Sequence, residues 1–306
     1  MITKKTALIL GAGASRHLDY PLGKGLVQRI QRIQYNKGEL AKLDEMVSGQ
    51  PRRECNFTGF EIGDLRAFIS TLNKAQPDSM DDHLAKYNEC GDVEVGKFLI
   101  AYALTECEDQ EKLHGKPGWY NTLLQAIRPI DDLADKALSI VTFNYDRSLD
   151  VYLHDAIHTD FIDDKTSANL ALHKIPIIHL HGQFGNRASP AYEPITDIES
   201  LTRLSTGIHI VGEQSVDTDF AHATMLLREA KRIYFLGFGF HPVNIDRFNF
   251  FNRDSMRDIE HGGTLCSSSS VYTTKLLDVI HSRGLDYNQF LKHSTCDDFF
   301  DKVALG

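Results

Sequence analysis

The chain has 306 residues, of which 42% are hydrophobic and 25% are charged, enough for one large domain with a sizeable core. Its net charge of −9 lacks the basic excess on which dedicated nucleic-acid binders depend, which argues against direct binding of DNA or RNA. No apolar run reaches the ~18 residues of a membrane helix, and the N-terminus lacks the apolar core of a signal peptide, so we expect a cytoplasmic protein without membrane association.

The first predicted element is a strand over Thr6–Leu10, a short apolar run that ends at a glycine turn, as buried parallel strands do. From about residue 28 to 130 the sequence shows no convincing strand. Apolar residues at helical spacing predict amphipathic helices there, for example around Leu65–Leu72, Phe98–Leu104 and Trp119–Ile127. This stretch is therefore predicted to be a helical insertion after the first strand.

Strands and helices alternate in the rest of the chain. Strands are predicted over 139–143, 176–180, 208–211, 232–236 and near Ser270-Val271-Tyr272, and helices from about 146, over 220–231 and after a capping box at Thr295 and Asp298. The pattern predicts an α/β fold, a Rossmann-like parallel sheet with helices on both faces. We expect a single domain over 1–306, with its α/β core at 1–27 and 131–306 and the insertion at about 28–130.

The cysteines argue against a structural metal. The five are Cys55, Cys90, Cys107, Cys266 and Cys296, and no two form a Cys-x-x-Cys pair. Their odd number also argues against a disulfide framework. We expect reduced thiols and no metal.

A glycine turn, Gly11-Ala12-Gly13-Ala14-Ser15, follows the first predicted strand. Two glycines in this position let a backbone approach a phosphate closely. The third glycine of the usual dinucleotide fingerprint is replaced by Arg16, and no clear acidic residue ends a second strand, which lowers the odds of a dehydrogenase. The alternative is a tight strand-to-helix turn that holds no ligand.

A second polar motif, Thr142-Phe143-Asn144-Tyr145-Asp146, covers the end of the predicted strand over 139–143 and the residues directly after it. The Asn144 amide offers donors and an acceptor, which suits ribose hydroxyls or a positioned water. Asp146 can bond a hydroxyl, and it is equally suited to be the N-cap of the next helix.

The third motif is His179-Leu180-His181-Gly182, at the end of the predicted strand over 176–180. Side chains alternate along a strand, so one of the two histidines should face the ligand side. A neutral histidine is a good general base near neutral pH, and Gly182 allows a sharp turn after His181. The competing interpretation is a metal site, but no carboxylate or cysteine set completes it. For His179 we prefer a structural role.

The fourth motif is a second glycine turn, Gly237-Phe238-Gly239, which follows the strand predicted over 232–236 and precedes Pro242-x-Asn244. Glycine turns at two strand ends imply a ligand that spans two crevices, as a dinucleotide does. Asn244 is a candidate ligand contact, or alternatively the cap of a helix that carries Ile245.

Taken together and in this order, the motifs Gly11–Ser15, Thr142–Asp146, His181-Gly182 and Gly237–Gly239 resemble those of the sirtuin superfamily, and more closely its bacterial Sir2-like branch. The resemblance covers roughly residues 1–25 and 136–306. It leaves the helical insertion unexplained.

The resemblance implies an enzyme that binds NAD and assigns roles to the motif residues. The phosphates would lie on Gly11, Ala12, Gly13 and Ser15; the nicotinamide ribose and its surroundings on Phe143, Asn144 and Asp146; the adenosine side on Gly237 and Gly239, with Asn244 nearby. Asn144 and His181 would be the catalytic residues, and His181 would act on a ribose hydroxyl or on water.

Two departures from the deacylating sirtuins favour plain NAD hydrolysis. Phe143 and Tyr145 stand where deacylases carry Gln and Ile, and the four-cysteine zinc module is absent. The resemblance thus implies an NAD hydrolase that yields nicotinamide and ADP-ribose, of the kind thought to deplete NAD in bacterial anti-phage defence. The alternatives are an NAD-dependent deacylase or ADP-ribosyltransferase, and a non-catalytic sensor of NAD or ADP-ribose.

A freely active NAD hydrolase would harm its host, so we expect a restraint, either assembly or the 28–130 insertion. The resemblance implies a homo-oligomer and a separate partner protein, for example a HerA-type ATPase.

Overall fold

A computed structural model of the chain describes residues 2–48, 61–86, 90–161, 164–185, 192–210, 214–265 and 270–305. Cys55, Cys266 and Val211, which figure in the sequence analysis, lie outside these residues.

The described residues contain one parallel sheet of six strands. The strands are β1 Thr6–Leu10, β2 Leu138–Thr142, β3 Ile177–His179, β4 Arg232–Leu236, β5 Glu260–Leu265 and β6 Phe290–Lys292. Their spatial order is β3-β2-β1-β4-β5-β6, and every neighbouring pair is parallel. This is the strand order of the Rossmann fold, in which the direction of winding reverses between the first and fourth strands.

Helices surround the sheet. Those within the described residues are α1 Gly23–Ile33, α2 Lys37–Ser48, α3 Ile62–Ala75, α4 Met80–Lys86, α5 Cys90–Thr105, α6 Gln110–Gly115, α7 Trp119–Ile127, α8 Ser148–Asp160, α9 Lys165–His173, α10 Ile198–Ser205, α11 Gln214–Glu229, α12 Pro242–Asp246, α13 Arg253–Met256, α14 Ser270–Ser282 and α15 Cys296–Phe300. Short 3-10 helices span Ala12–Leu18, Ile130–Asp132 and Tyr287–Gln289. In the part of the chain that the structure describes, no helix combines the length and apolar character needed to cross a membrane.

Alternation along β1 divides the hydrophobic core between the two faces of the sheet. Leu8 and Leu10 belong to one buried cluster, which includes the helices between β1 and β2. Ala7 and Ile9 belong to a second cluster, with residues of α11 and α14. Neighbouring residues of a strand point to opposite faces, so both faces are covered by helices. The predicted α/β class is confirmed.

The regular elements among the described residues between β1 and β2 are all helical: α1 to α7 and the 3-10 helices Ala12–Leu18 and Ile130–Asp132. Leu65, Phe68, Ile69 and Leu72 form the buried side of α3, as their helical spacing predicts. The helical insertion after the first strand is therefore present, and it packs on the face of the sheet that carries Leu8.

Two predicted strands are wrong. Ser270, Val271 and Tyr272 begin α14 instead of a strand. β-Branched and aromatic residues favour strands only weakly, and the fifth sheet position goes to Glu260–Leu265, which pairs with both β4 and β6. In the predicted strand over 208–211, Ile208 forms only an isolated antiparallel bridge with Gly182, outside the sheet.

Candidate functional site

The two glycine turns pack against each other at the carboxyl ends of β1 and β4. The Gly11 N–H donates to the Leu236 carbonyl and the Gly13 N–H to the Gly237 carbonyl, both at 3.0 Å. Gly237 has a φ of 58°, and a Cβ atom there would lie 2.1 Å from the Ala14 nitrogen. A side chain cannot fit at that distance, so glycine is required for this contact.

This contact uses two of the backbone amides of the predicted phosphate turn. The amides of Gly11 and Gly13 are engaged with the β4 turn in this conformation, while Ala12 and Gly13 remain half-buried. Gly239 is exposed, and so is Arg16, which replaces the third fingerprint glycine. The two turns follow β1 and β4, the neighbouring strands between which the strand order reverses, and open α/β sheets bind ligands at such a point.

Ser15 joins the first glycine turn to the motif that follows β2. Its hydroxyl donates to Asp146 Oδ2 at 2.8 Å and accepts from Asn144 Nδ2 at 3.3 Å. All three side chains are buried. Residues from two neighbouring strand ends therefore form one hydrogen-bonded cluster.

Asp146 also contacts the start of α8. Its Oδ1 accepts the Ser148 N–H at 3.1 Å and a short hydrogen bond from the Ser148 hydroxyl. The N-cap position is occupied by Arg147, one residue after Asp146, but the Asp146 side chain binds the amide of the first helical residue as a capping residue does. The aspartate holds the helix start and Ser15 at the same time.

Asn144 and His181 are buried with unpartnered polar atoms. Asn144 is 9% exposed and His181 is 2% exposed. Asn144 Oδ1 and both ring nitrogens of His181 have no hydrogen-bond partner among the described residues. Buried polar groups are nearly always bonded, and an unpartnered one costs about 1–3 kcal/mol. These atoms can therefore accept or donate hydrogen bonds to a bound ligand.

The surroundings of His181 lower its pKa. Burial disfavours the charged imidazole, Asp81 opposes that effect, and Arg247 and His209 reinforce it, with a net pKa below the usual value. The ring is therefore neutral at neutral pH and can accept a proton.

His179 has a different environment from His181. Its Nδ1 lies 3.0 Å from the Asn144 carbonyl, and its Nε2 lies 3.0 Å from both Asp150 Oδ2 and Gln183 Nε2. Burial alone would lower its pKa, but Asp150 and the carbonyl outweigh burial and raise the pKa above its usual value. These contacts fix the backbone of Asn144, which is a structural role.

Aromatic rings line the side of the site next to His181. Phe143 lies with its ring centroid 5.8 Å from that of His181 and 5.0 Å from that of Phe238. Phe220 and Phe248 complete the group, each 5.9 Å from Phe143. Planar, apolar surfaces of this kind suit a flat aromatic ligand ring.

An arginine lies beside this aromatic group. The Arg247 guanidinium lies 4.1 Å from the centroid of the Phe220 ring, and its Nη2 donates to Asp217 Oδ1 at 2.9 Å. Its Nη1 is buried and has no hydrogen-bond partner among the described residues.

Asn244 lies within α12, whose N-cap is His241, so the alternative that Asn244 caps this helix is wrong.

The helical insertion reaches the site. Asp81 of α4 accepts a short hydrogen bond from the Tyr145 hydroxyl, and its Oδ1 lies 3.8 Å from His181 Nδ1. Trp119 of α7 donates from Nε1 to the Ala14 carbonyl at 2.8 Å. The insertion thus supports the first glycine turn and places a carboxylate next to the predicted base.

Sequence reasoning missed Asp81, Asp150 and Arg247. Asp81 lies in the first turn of α4, where an acidic residue is explained by the helix dipole alone. Nothing in a single sequence links it to His181. Asp150 and Arg247 carry no motif of their own, and only the folded chain shows their contacts.

A metal site is the competing interpretation of the His-x-His motif. Within the described residues, no three His, Cys, Asp or Glu side chains are grouped so that they could hold a metal ion. His179 instead uses both ring nitrogens in hydrogen bonds.

Comparison with known proteins finds a likeness to solved structures but not to a family or a curated protein. No family model matches the chain. No curated protein matches it either. A solved structure described as the crystal structure of a Sir2 homolog–NAD complex aligns with 98% of this chain and 88% of its own, at 13% identity and a TM-score of 0.44. A likeness of this degree identifies neither a family nor a function.

Proposed function

We propose that this protein hydrolyses NAD at the bond between nicotinamide and ribose, which yields nicotinamide and ADP-ribose. The observation that carries the proposal is the burial of Asn144 Oδ1 and both His181 ring nitrogens without hydrogen-bond partners among the described residues. Each residue lies two positions after a parallel strand, Asn144 after β2 and His181 after β3, at the carboxyl edge of the sheet. An acceptor and a neutral base at this edge suit a reaction on a bound sugar.

The surroundings of the pair fit a dinucleotide. Glycine turns end β1 and β4, the two strands between which the winding reverses, and dinucleotides lie across that crevice in folds of this order. The predicted contacts are Gly11, Ala12, Gly13 and Ser15 for the phosphates, Asp146 for the ribose, and Gly237, Gly239 and Asn244 for the adenosine side. The Phe143 ring beside His181 suits the nicotinamide ring.

In this proposal Asn144 and His181 have different roles in the reaction. Water adds to the ribose carbon as the carbon–nitrogen bond to nicotinamide breaks, and the water gives up a proton. The Asn144 amide, held through its Nδ2 by Ser15, orients the ribose or the water with its free Oδ1. The neutral His181 accepts the proton.

The motif resemblance, apart from the geometry, supports the finer parts of the proposal. The absent zinc cysteines and the Phe143 and Tyr145 substitutions favour hydrolysis over deacylation. The same resemblance supports an NAD-depleting role in anti-phage defence, in a homo-oligomer with a separate partner protein such as a HerA-type ATPase. The defence role, the homo-oligomer and the partner protein are proposals, and measuring the reaction products tests the hydrolysis on which they depend.

The test is to incubate the purified full chain with NAD, identify the products by mass spectrometry, and measure NAD binding by calorimetry. The expected result is nicotinamide and ADP-ribose in equal amounts, with or without an acetyl-lysine peptide. Peptide-dependent turnover would replace the proposal with deacylation, and ADP-ribose attached to protein would replace it with transfer. Binding without cleavage would show a sensor, and absence of both binding and cleavage would refute NAD as the ligand.

A further inference from the structure

Asp81 is an acidic side chain that the insertion places against the predicted base. Asp81 Oδ1 lies 3.8 Å from His181 Nδ1, and the Asp81 side chain is 29% exposed while that of His181 is 2% exposed. The same oxygen accepts the hydroxyl of Tyr145, whose ring lies 6.3 Å from the His181 ring. The carboxylate is thus held in place on the Nδ1 side of the imidazole.

Among the residues that the structure describes, the other charged and titratable groups that face His181 are cationic or neutral. His209 comes from the segment after α10, and its N–H donates to the His181 carbonyl at 2.8 Å. Arg247 comes from the end of α12, and Tyr145 from the turn after β2. Among these groups Asp81 alone is acidic, and it opposes the lowering of the His181 pKa that burial, Arg247 and His209 cause.

We propose that Asp81 is a positioning residue for His181: its carboxylate accepts the Nδ1 proton and so leaves Nε2 as the proton acceptor. The catalytic part of this inference rests on the proposed function, whereas the contact itself does not. The 3.8 Å separation exceeds a hydrogen bond, and an approach of about 1 Å closes it. Catalytic hydrogen bonds are often long without substrate and shorten when it binds.

A carboxylate in this position does two things. It holds one tautomer, because the bond that one ring nitrogen makes decides where the proton of a neutral imidazole resides. It also stabilises the imidazolium that forms when Nε2 accepts a proton. Both effects act through His181, without contact between Asp81 and the substrate.

The experiment compares Asp81→Asn with Asp82→Asn. Asparagine retains an oxygen that can accept the Tyr145 hydroxyl but lacks the charge. Asp82 is the matched control, because it lies in the same first turn of α4 and is likewise partly buried. The imidazole of His181 is followed by nitrogen-15 NMR over a pH titration, with His181→Gln to assign its signal among the 14 histidines.

In Asp81→Asn we expect a lower pKa of His181 and a smaller population of the Nδ1–H tautomer. We expect kcat for NAD cleavage to fall about 10- to 100-fold with little change in KM. Asp82→Asn should leave all of these within about twofold of the wild type. Tyr145→Phe removes the bond to α4 but keeps the carboxylate, so its His181 pKa should stay above that of Asp81→Asn.

An unchanged His181 pKa and tautomer in Asp81→Asn would overturn the inference, as would equal changes in Asp82→Asn. If the wild type does not cleave NAD, the proposed function fails, and the NMR titration still decides whether Asp81 controls the His181 ring. If Asp81→Asn is too unstable to study, the tautomer of wild-type His181 decides: a proton on Nε2 alone contradicts the inference.

Discussion

The Ser15 hydroxyl donates a 2.8 Å hydrogen bond to Asp146 Oδ2, across 131 positions of sequence. It joins the turn after β1 to the turn after β2, and it also accepts the amide of Asn144. The proposed catalytic amide is therefore held from the first glycine turn, and its side-chain oxygen Oδ1 has no hydrogen-bond partner among the described residues.

Ser15→Ala should reduce turnover. Without the hydroxyl, Asn144 Nδ2 and Asp146 Oδ2 each lose a buried partner, which costs about 1–3 kcal/mol and loosens the Asn144 amide. We expect kcat/KM for NAD cleavage to fall about tenfold or more. Ser205→Ala is the matched control, because both hydroxyls belong to serines that are 2% exposed. Among the described residues, the Ser205 hydroxyl donates only to the Thr202 carbonyl of its own helix. Equal turnover in the two variants would show that Ser15 does not position Asn144.

Gly237→Ala should destabilise the protein. The residue has a φ of 58°, and the new Cβ atom would lie 2.1 Å from the Ala14 nitrogen, so the two turns must separate. A left-handed conformation alone costs a non-glycine residue about 1–2 kcal/mol, and we expect a total loss above ~2 kcal/mol. Gly63→Ala in α3, where no atom lies within 4 Å of the new Cβ, should stabilise by about 0.5–1 kcal/mol. Urea unfolding followed by the fluorescence of Trp119, the one tryptophan in the sequence, measures both values. A mild Gly237→Ala variant would contradict the close packing of the turns.

The stability of the protein should fall as pH rises through the pKa of His179. Its pKa in the folded chain is raised above 6.5, so the stabilisation it provides is complete below about pH 6.5 and is lost as pH rises through the folded-state pKa. Asp150→Asn removes the carboxylate that raises this pKa, so the loss over that window should become smaller. The free energy of unfolding, measured in urea between about pH 6 and 9, provides the comparison. Parallel pH curves for wild type and Asp150→Asn would contradict the assignment.

Replacing one partner of the buried ion pair between Arg147 and Glu108 should lower the free energy of unfolding substantially. Both side chains are fully buried and joined by two hydrogen bonds, 2.7 Å from Nε and 2.6 Å from Nη2. Burial raises the pKa of Glu108 to about 7, although Arg147 opposes that effect. Arg147→Met leaves Glu108 buried without its partner and should cost about 3–5 kcal/mol. The double variant Arg147→Met/Glu108→Leu should recover at least half of that loss in urea unfolding; a loss equal to or larger than that of the single variant would contradict this explanation.

The central strands could be predicted because their signal is local. Thr6–Leu10 and Arg232–Leu236 are short apolar runs that end at glycine, and both are strands with the predicted bounds. The capping box at Thr295 and Asp298 also forms as predicted, with the Thr295 N–H donating to Asp298 Oδ2 at 2.7 Å. Local chemistry decides all of these elements.

The strand β5, which the sequence did not predict, depends on contacts with residues distant in the chain. β5 contains Gly262 and Gly263, which weaken a strand by propensity. A Cβ on Gly263 would lie 2.0 Å from the Phe235 carbonyl oxygen, so its glycine permits close pairing with β4. The need for glycine at this position follows from the pairing of β5 with β4, which a single sequence does not show. The approach of Asp81 to His181 likewise depends on the folded chain.

The most direct test of the proposed function is nicotinamide release from NAD by wild type, Asn144→Ala and His181→Ala, with folding checked by Trp119 fluorescence. Loss of a positioned base or amide costs about 10²–10⁴-fold in rate. We predict that wild type releases nicotinamide, and that each variant remains folded, still binds NAD in calorimetry, and is slower by at least about 100-fold. Release at the wild-type rate by either folded variant would contradict the site, and NAD left intact and unbound by the wild type would contradict the function.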